Sequence, residues 1–193
     1  MWAKLERLRY RWKNYKPMFS DKIGIFLDRD GTLIEDRGYL SDPEGVCLMP
    51  GVKEVLKQLK AKNSLLFLVT NQSGVGRGFF TMKEVQRCNQ RMLDLLEADE
   101  SFFARLCIST GRPEDNDSYR KPSPKFILEC LDEYNLNPDN CWMIGDRVTD
   151  VQAGINARIH TILMGESEPA CGATAYCKSF YEVLDVVTRY GDL

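Results

Sequence analysis

The chain has 193 residues, enough for one domain with a full core. Its composition, 44% hydrophobic and 28% charged, is that of a soluble globular protein, and a net charge of −2 gives no bulk attraction to nucleic acid or acidic surfaces. Seven Cys without a C-x-x-C, and one His, His160, argue against a disulfide framework and a Cys/His zinc site.

The first residues form a basic stretch, with seven Lys/Arg against two Asp/Glu in residues 1–22. Trp2, Leu5, Leu8 and Trp12 recur at helical spacing, and Pro17 ends the pattern, so residues 1–20 read as a basic amphipathic extension ahead of a domain at 21–193. No signal-peptide pattern and no run long enough for a membrane span is present, which makes a reducing cytoplasm the expected compartment.

Ile23 to Leu27 is a short apolar run, the pattern of a strand buried on both faces of a parallel sheet. It runs into Asp28-Arg29-Asp30-Gly31-Thr32. Taken alone, that ending is also compatible with an Asx-type turn. Residues 34–50 are a polar, turn-rich connection that leaves the same strand end and can form one wall of a site. The periodicity then predicts a helix over 51–62, a strand at Leu65–Val69 ending in Thr70-Asn71-Gln72, and a helix from a Thr81/Glu84 capping box to about Glu97. A weaker strand at Phe103–Ser109 is followed by a polar loop and then by Arg120-Lys121-Pro122. Next come a helix to about Tyr134 with Phe126, Ile127, Leu128 and Leu131 on its apolar side, and a strand at Cys141–Ile144. Gly145-Asp146-Arg147 closes that strand, and a helix follows through Asp150, Val151 and Ala153. A strand at Ile159–Met164, a short strand near Ala175 and a helix over about Tyr181–Arg189 complete the chain. His160 reads as a satisfied sheet residue, Cys171 and Cys177 as packing residues, and Glu166 to Glu168 as a solvated loop. Strands alternate with helices throughout, which predicts an α/β fold with a doubly wound, mostly parallel sheet and no separate cap domain.

In a parallel sheet all the strands point the same way, so Asp28 and Asp30, Thr70 and Asn71, Lys121, and Asp146 with Asp150 converge on one edge. Their chemistry is coherent. The carboxylates suit a hard cation, Mg²⁺ by its preference for oxygen. Asp28 can act as a nucleophile and Asp30 as general acid toward a leaving oxygen. Thr70 and Asn71 offer donors to a phosphoryl group, and Lys121 offsets the charge that gathers there. That set supplies the positioning and charge stabilisation that phosphoryl transfer needs.

D-R-D-G-T at 28–32, T-N at 70–71, K-P at 121–122 and G-D-x-x-x-D at 145–150 together resemble the four motifs of the haloacid dehalogenase superfamily of phosphohydrolases. G-Y-L at 38–40, P-G-V at 50–52, T-N-Q-S-G-V-G-R-G at 70–78 and R-K-P at 120–122 resemble its capless branch, which holds the D-glycero-D-manno-heptose 1,7-bisphosphate phosphatases and the histidinol-phosphate phosphatases. The resemblance implies that Asp28 forms an aspartyl-phosphate, that Asp30 is the acid/base, and that Thr70 and Lys121 hold the phosphoryl group. It implies a Mg²⁺ bound by Asp28, the backbone carbonyl of Asp30, and Asp146, with Asp150 supporting them. It also assigns substrate contacts to Gly31, Asn71, Gln72, Arg77, Arg120 and Arg147. The family's loop before R-K-P usually holds a zinc site of Cys and His. Here residues 107–119 offer Cys107 alone, so no zinc is expected.

The expected protein is a monomeric phosphomonoesterase acting on a small phosphorylated sugar, with no nucleic-acid partner and no membrane span. A histidinol-phosphate phosphatase, a polynucleotide 3′-phosphatase and a non-catalytic binding protein are the alternative readings. The net-acidic chain after residue 22 argues against the nucleic-acid one, and the intact Asp28, Asp30, Thr70, Lys121 and Asp146 against the non-catalytic one.

Overall fold

The structure, a computed structural model, describes residues 19–115, 117–165 and 170–190. The predicted amphipathic helix before Pro17 and the loop at Glu166–Glu168 lie outside the described residues.

The strands are β1 (Ile23–Leu27), β2 (Ser64–Asn71), β3 (Arg105–Ser109), β4 (Cys141–Gly145), β5 (His160–Met164) and β6 (Ala175–Cys177). The helices are α1 (Val52–Ala61), the single turn α2 (Ser73–Gly76), α3 (Met82–Leu96), α4 (Lys125–Glu133), α5 (Val148–Asn156) and α6 (Phe180–Tyr190). Every strand pair is parallel and the order across the sheet is β3-β2-β1-β4-β5-β6. The predicted doubly wound α/β sheet is therefore the observed one, and no cap domain is inserted among the described residues.

β1 sits at the centre because every one of its residues is buried. Ile25 pairs with Leu66 on one side and Trp142 on the other, and Phe26 with Phe67 and Met143. Alternate residues then feed two cores. Ile25 and Leu27 join Leu66, Leu68 and Ile144 under α1, α3 and α6, with Leu56, Met92 and Val183 contributed by those helices. Phe26 joins Phe67 and Met143 under α4 and α5, with Ile127, Leu131 and Ala153. Each such fully buried side chain contributes about 2 kcal/mol by leaving water.

The helix ends follow their sequence signals. The Thr81/Glu84 capping box forms, with Thr81 N donating to Glu84 Oε2 at 2.7 Å. In α4, however, Leu128 is exposed, and Cys130 is buried beside Ile127 and Leu131. A 3.6-residue period turns position 128 away from the sheet. The polar run after β2 contains the single helical turn α2.

At the amino ends of the strands, Ser20 N donates to Asn135 O at 2.8 Å and pairs with Leu136. His160 stacks on Trp142 at 4.6 Å, its Nε2 lies 3.0 Å from Asp139 O, and Tyr190 of α6 packs edge-on against Trp142 at 5.4 Å. All seven cysteines are free thiols, Cys171 and Cys177 included.

Candidate active site

The order β3-β2-β1-β4 places the switch in winding direction between β1 and β4, where loops diverge and leave a crevice at the carboxyl ends. Asp28 follows β1 there and Asp146 follows β4. Asp28 N donates to Ile144 O at 2.9 Å, which carries the strand pairing up to the carboxylate. A cleft of about 380 Å³ opens above, lined by Asp28, Asp30, Thr70, Asn71, Gln72, Arg120, Lys121, Arg147 and Asp150 among the predicted residues.

At its floor Lys121 is 3% exposed. Its Nζ lies 2.7 Å from Asp28 Oδ1 and 2.7 Å from Asp150 Oδ1, and donates to Val69 O at 2.7 Å. Burial works against its positive charge, but the carboxylates of Asp150 and Asp28 prevail and hold its pKa above the ordinary lysine value. The Lys121 backbone is clamped as well: Lys121 N donates to Asn71 Oδ1 at 3.0 Å, and Asn71 Nδ2 donates to Lys121 O at 3.2 Å. Asn71 therefore uses its amide to hold Lys121 in place.

Asp28, Asp146 and Asp150 bring carboxylate oxygens within 4.8 Å of one another. Burial raises the Asp28 pKa to about 6 against the pull of Lys121, with Asp150 adding to the rise. Burial, then the neighbouring charge of Asp28, raises Asp146 to about 6. Asp150 Oδ2 accepts from Arg147 N at 2.9 Å and caps α5, while its buried Oδ1 makes the ion-pair contact with Lys121. An all-oxygen, anionic donor set of three carboxylates fits a hard divalent cation such as Mg²⁺.

Two glycines make this approach possible. Gly31 adopts φ +78°, and a Cβ there would lie 2.3 Å from Asp146 Oδ2. A Cβ on Gly145 would lie 2.3 Å from Asp150 Cγ.

The Asp30 carboxylate faces the cleft but lies outside the acidic cluster. Arg29 grips it with Nε to Oδ2 and Nη2 to Oδ1, both at 3.0 Å, and Gln72 Nε2 donates to Oδ2 at 2.8 Å and to Thr70 Oγ1 at 2.9 Å. Arg29 was given no role in the sequence reading.

The rim is cationic. Arg147 Nη2 pairs with Asp36 Oδ2 at 2.8 Å across the mouth. Arg120 Nη1 donates to Gly111 O at 3.1 Å, and its pKa is pulled down by burial, with Arg77 and Arg147 adding to the effect. Arg77 itself does not line the cleft: it is exposed and pairs with Glu114 at 3.4 Å. The 34–50 connection supplies the expected wall through Asp36, Gly38 and Tyr39. Ser73, Gly74, Phe80, Val148 and Thr149 also line the cleft without having been predicted. Gly74 had a signal, since it lies in the T-N-Q-S-G motif. Tyr39 likewise lies in the G-Y-L motif, whereas Phe80 had none, because tertiary contact alone brings its ring within 6.5 Å of that of Tyr39.

The loop between β3 and Lys121 is organised by Asp117. Its Oδ2 accepts from Ser109 Oγ at 2.5 Å and from Gly111 N at 3.1 Å, and its Oδ1 accepts from Tyr119 N at 2.9 Å. Cys107 points into the core instead, with Sγ 3.9 Å from Cys130 Sγ.

Comparison with known proteins agrees with this geometry. Residues 35–158 match the model of the haloacid dehalogenase-like hydrolases. A D-glycero-β-D-manno-heptose-1,7-bisphosphate 7-phosphatase of Helicobacter pylori is 34% identical over 84% of this chain and 96% of its own. A D-glycero-α-D-manno-heptose-1,7-bisphosphate 7-phosphatase of Campylobacter jejuni is 33% identical over 75% of this chain and 83% of its own. Among solved structures, D,D-heptose 1,7-bisphosphate phosphatase of B. bronchiseptica, complexed with magnesium and phosphate, superposes with a TM-score of 0.76 at 22% identity, covering 86% of this chain and 98% of that one, and so shares the fold. No helix among the described residues is long and apolar enough to cross a membrane. A doubly wound sheet with its carboxylates at the switch point, matched over most of its core by the family model and by relatives at a third identity, makes the chain a member of the haloacid dehalogenase-like hydrolase family.

Proposed function

We propose that the chain is a Mg²⁺-dependent phosphomonoesterase acting on a sugar phosphate, with D-glycero-D-manno-heptose 1,7-bisphosphate as substrate. The observation that carries the chemistry is the buried contact of Lys121 with both Asp28 and Asp150 beside Asp146. The names of the relatives carry the substrate.

In this reading an Asp28 carboxylate oxygen attacks phosphorus in line, the phosphorus–ester oxygen bond breaks, and Asp30 gives its proton to the departing sugar oxygen. Water then attacks the aspartyl-phosphate, Asp30 takes up a proton, and orthophosphate leaves with Asp28 regenerated. Thr70 and Lys121 hold the phosphoryl oxygens, with Gly31 and Gln72 beside them. Mg²⁺ would be held by Asp28, Asp146 and the Asp30 carbonyl, with Asp150 behind them. It would offset the negative charge that phosphate and carboxylate bring together. Arg120 and Arg147 at the rim suit the second phosphate of a bisphosphate.

Action as a monomer is part of the same proposal. Seven free thiols support a reducing compartment such as the cytoplasm. Cys107, turned into the core, supports a protein that takes no zinc in the loop before Lys121.

The test is phosphate release with Mg²⁺ from both heptose bisphosphate anomers, histidinol phosphate and an oligonucleotide 3′-phosphate, with Asp28→Asn as control. Turnover of a heptose bisphosphate that Asp28→Asn lowers by roughly four orders of magnitude or more is expected. Preference for histidinol phosphate or the oligonucleotide would overturn the substrate, and Mg²⁺-independent or absent turnover the reaction.

A further inference from the structure

Arg29 lies between the two aspartates of the β1 end, yet it does not line the cleft. Its side chain is 1% exposed, one of the largest fully buried side chains of the protein. A buried guanidinium needs partners for its donors. Two donors go to Asp30, and the third direction is taken by Asn89, whose Oδ1 accepts from Arg29 Nη1 at 3.0 Å.

Asn89 is an unusual residue for its place. It sits in the middle of α3, 3% exposed, on the helix face that buries Val85, Met92 and Leu93. Its Nδ2 is buried without a hydrogen-bond partner among the described residues. Leaving that amide half-satisfied is unfavourable, and an apolar side chain of similar shape would suit the helix better. Among the described residues, the one hydrogen bond the Asn89 side chain makes is to Arg29.

The donors on Asp30 are unevenly shared. Among the described residues, Oδ2 accepts from Arg29 Nε and from Gln72 Nε2, whereas Oδ1 accepts from Arg29 Nη2 alone. A carboxylate oxygen has two lone pairs, so Oδ2 is filled and the free acceptor site is on Oδ1.

We propose that Asn89 is a positioning residue for Asp30. It acts through Arg29, and the arrangement leaves Asp30 Oδ1 as the oxygen that carries the proton. The inference rests on the phosphatase reading above, in which Asp30 is the general acid. As Asp28 bonds to phosphorus and the phosphorus–ester bond breaks, the proton on Oδ1 passes to the sugar oxygen that leaves. It is replaced from the water that later cleaves the aspartyl-phosphate. Without Asn89 the guanidinium loses one of its anchors, the fork on Asp30 slackens, and the proton is no longer aimed.

Proton donation matters only where the leaving group needs it. A sugar alkoxide does; p-nitrophenolate departs as the anion. The test is kcat/KM, which reports formation of the aspartyl-phosphate, for a sugar phosphate and for p-nitrophenyl phosphate in wild type, Asn89→Leu and Asn89→Asp. Asn89→Leu is expected to lose roughly tenfold on the sugar phosphate and less than about twofold on the aryl phosphate, a fraction of what a general acid contributes. Asn89→Asp, which keeps an oxygen for Arg29 Nη1, is expected to retain the sugar phosphate rate. Equal losses on both substrates, no loss on either, or a fall in Asn89→Asp matching that of Asn89→Leu would overturn the proposal. A crystal structure of Asn89→Leu gives a readout free of activity: Asp30 is expected out of the Arg29 fork, and an unchanged fork would overturn the proposal. A wild type inactive on both substrates would instead count against the phosphatase reading, with the crystal structure still deciding whether Asn89 holds the fork.

Discussion

Lys121 Nζ stands 2.7 Å from Asp28 Oδ1, with both side chains almost wholly out of water. Its second contact, 2.7 Å to Asp150 Oδ1, makes one ammonium the counter-charge for two buried carboxylates. Breaking such a cluster from the cationic side leaves like charges facing each other in a low-dielectric pocket.

Lys121→Met is therefore expected to destabilise the metal-free protein by about 3 kcal/mol at pH 8, as for other buried pairs that lose one partner. The defect has a predictable pH dependence. Lys121 pulls the Asp28 pKa down, and without it the carboxyl rises beyond its present value of about 6. Protonation then removes the unpaired charge, so the gap to wild type shrinks at pH 5. Urea denaturation at the two pH values measures it, and an equal gap at both would contradict this account.

Asp146→Asn tests the acidic cluster from the other side. With a folded-state pKa of about 6 against an ordinary 3.8, Asp146 binds its proton more tightly in the folded chain than in the unfolded one. Its contribution to stability is full below pH 4 and is lost as pH rises to about 6. Metal-free Asp146→Asn should match wild type at pH 4 and exceed it by pH 7, by at most about 3 kcal/mol for a shift of roughly two units. Millimolar Mg²⁺ should raise the Tm of wild type and leave that of Asp146→Asn unmoved. Thermal melts across pH with and without Mg²⁺ check both halves.

Gly31→Ala puts a Cβ 2.3 Å from Asp146 Oδ2 at a backbone φ of +78°. The chain should still fold, at a cost of about 1–2 kcal/mol for the left-handed conformation. The displaced carboxylate should raise the Mg²⁺ concentration for half-maximal phosphate release about tenfold, on the scale of disturbed metal surroundings. Unchanged Mg²⁺ dependence would mean that Asp146 is not where the ion is held.

Asp117→Ala removes the single carboxylate that joins Ser109, Gly111 and Tyr119. Arg120 hangs from that loop through Gly111 O. The expected result is a KM for the bisphosphate raised roughly tenfold, the loss of one charge-assisted contact. kcat should stay within about twofold, because Lys121 is held independently by Asn71. A fall in kcat with constant KM would place Asp117 in the chemistry instead.

The parts of this molecule that a linear reading recovers are those fixed by burial and by strand direction. β1, β2 and β4 are apolar runs because both faces of a central parallel strand are covered, and their polar ends mark the cleft edge. Asp28, Asp146 and Asp150 were legible because each lies at or just past such an end. Side-chain direction in the loops was not. Arg77 and Arg120 both read as substrate contacts, yet Arg77 turns to Glu114 while Arg120 reaches the cleft. Asn71, read as a phosphate donor, lines the cleft, and its amide secures the Lys121 backbone, which no motif announces. The role of Arg29 was not legible, because its partner Asn89 is remote in sequence and marked by no motif.

The ends of the described fold have a practical consequence. Ser20 is paired beside Leu136 just ahead of β1, and Tyr190 packs on Trp142 and His160 at the beginning of β4 and β5. Both lie at the amino edge of the sheet, roughly 15 Å of strand from the carboxylates. A surface tether or fusion partner joined at Ser20 or at Tyr190 would hold the protein by its back, with the mouth of the cleft turned outward to the solution. Preparations immobilised through Ser20 or Tyr190 should therefore turn over substrate as fast as the free protein.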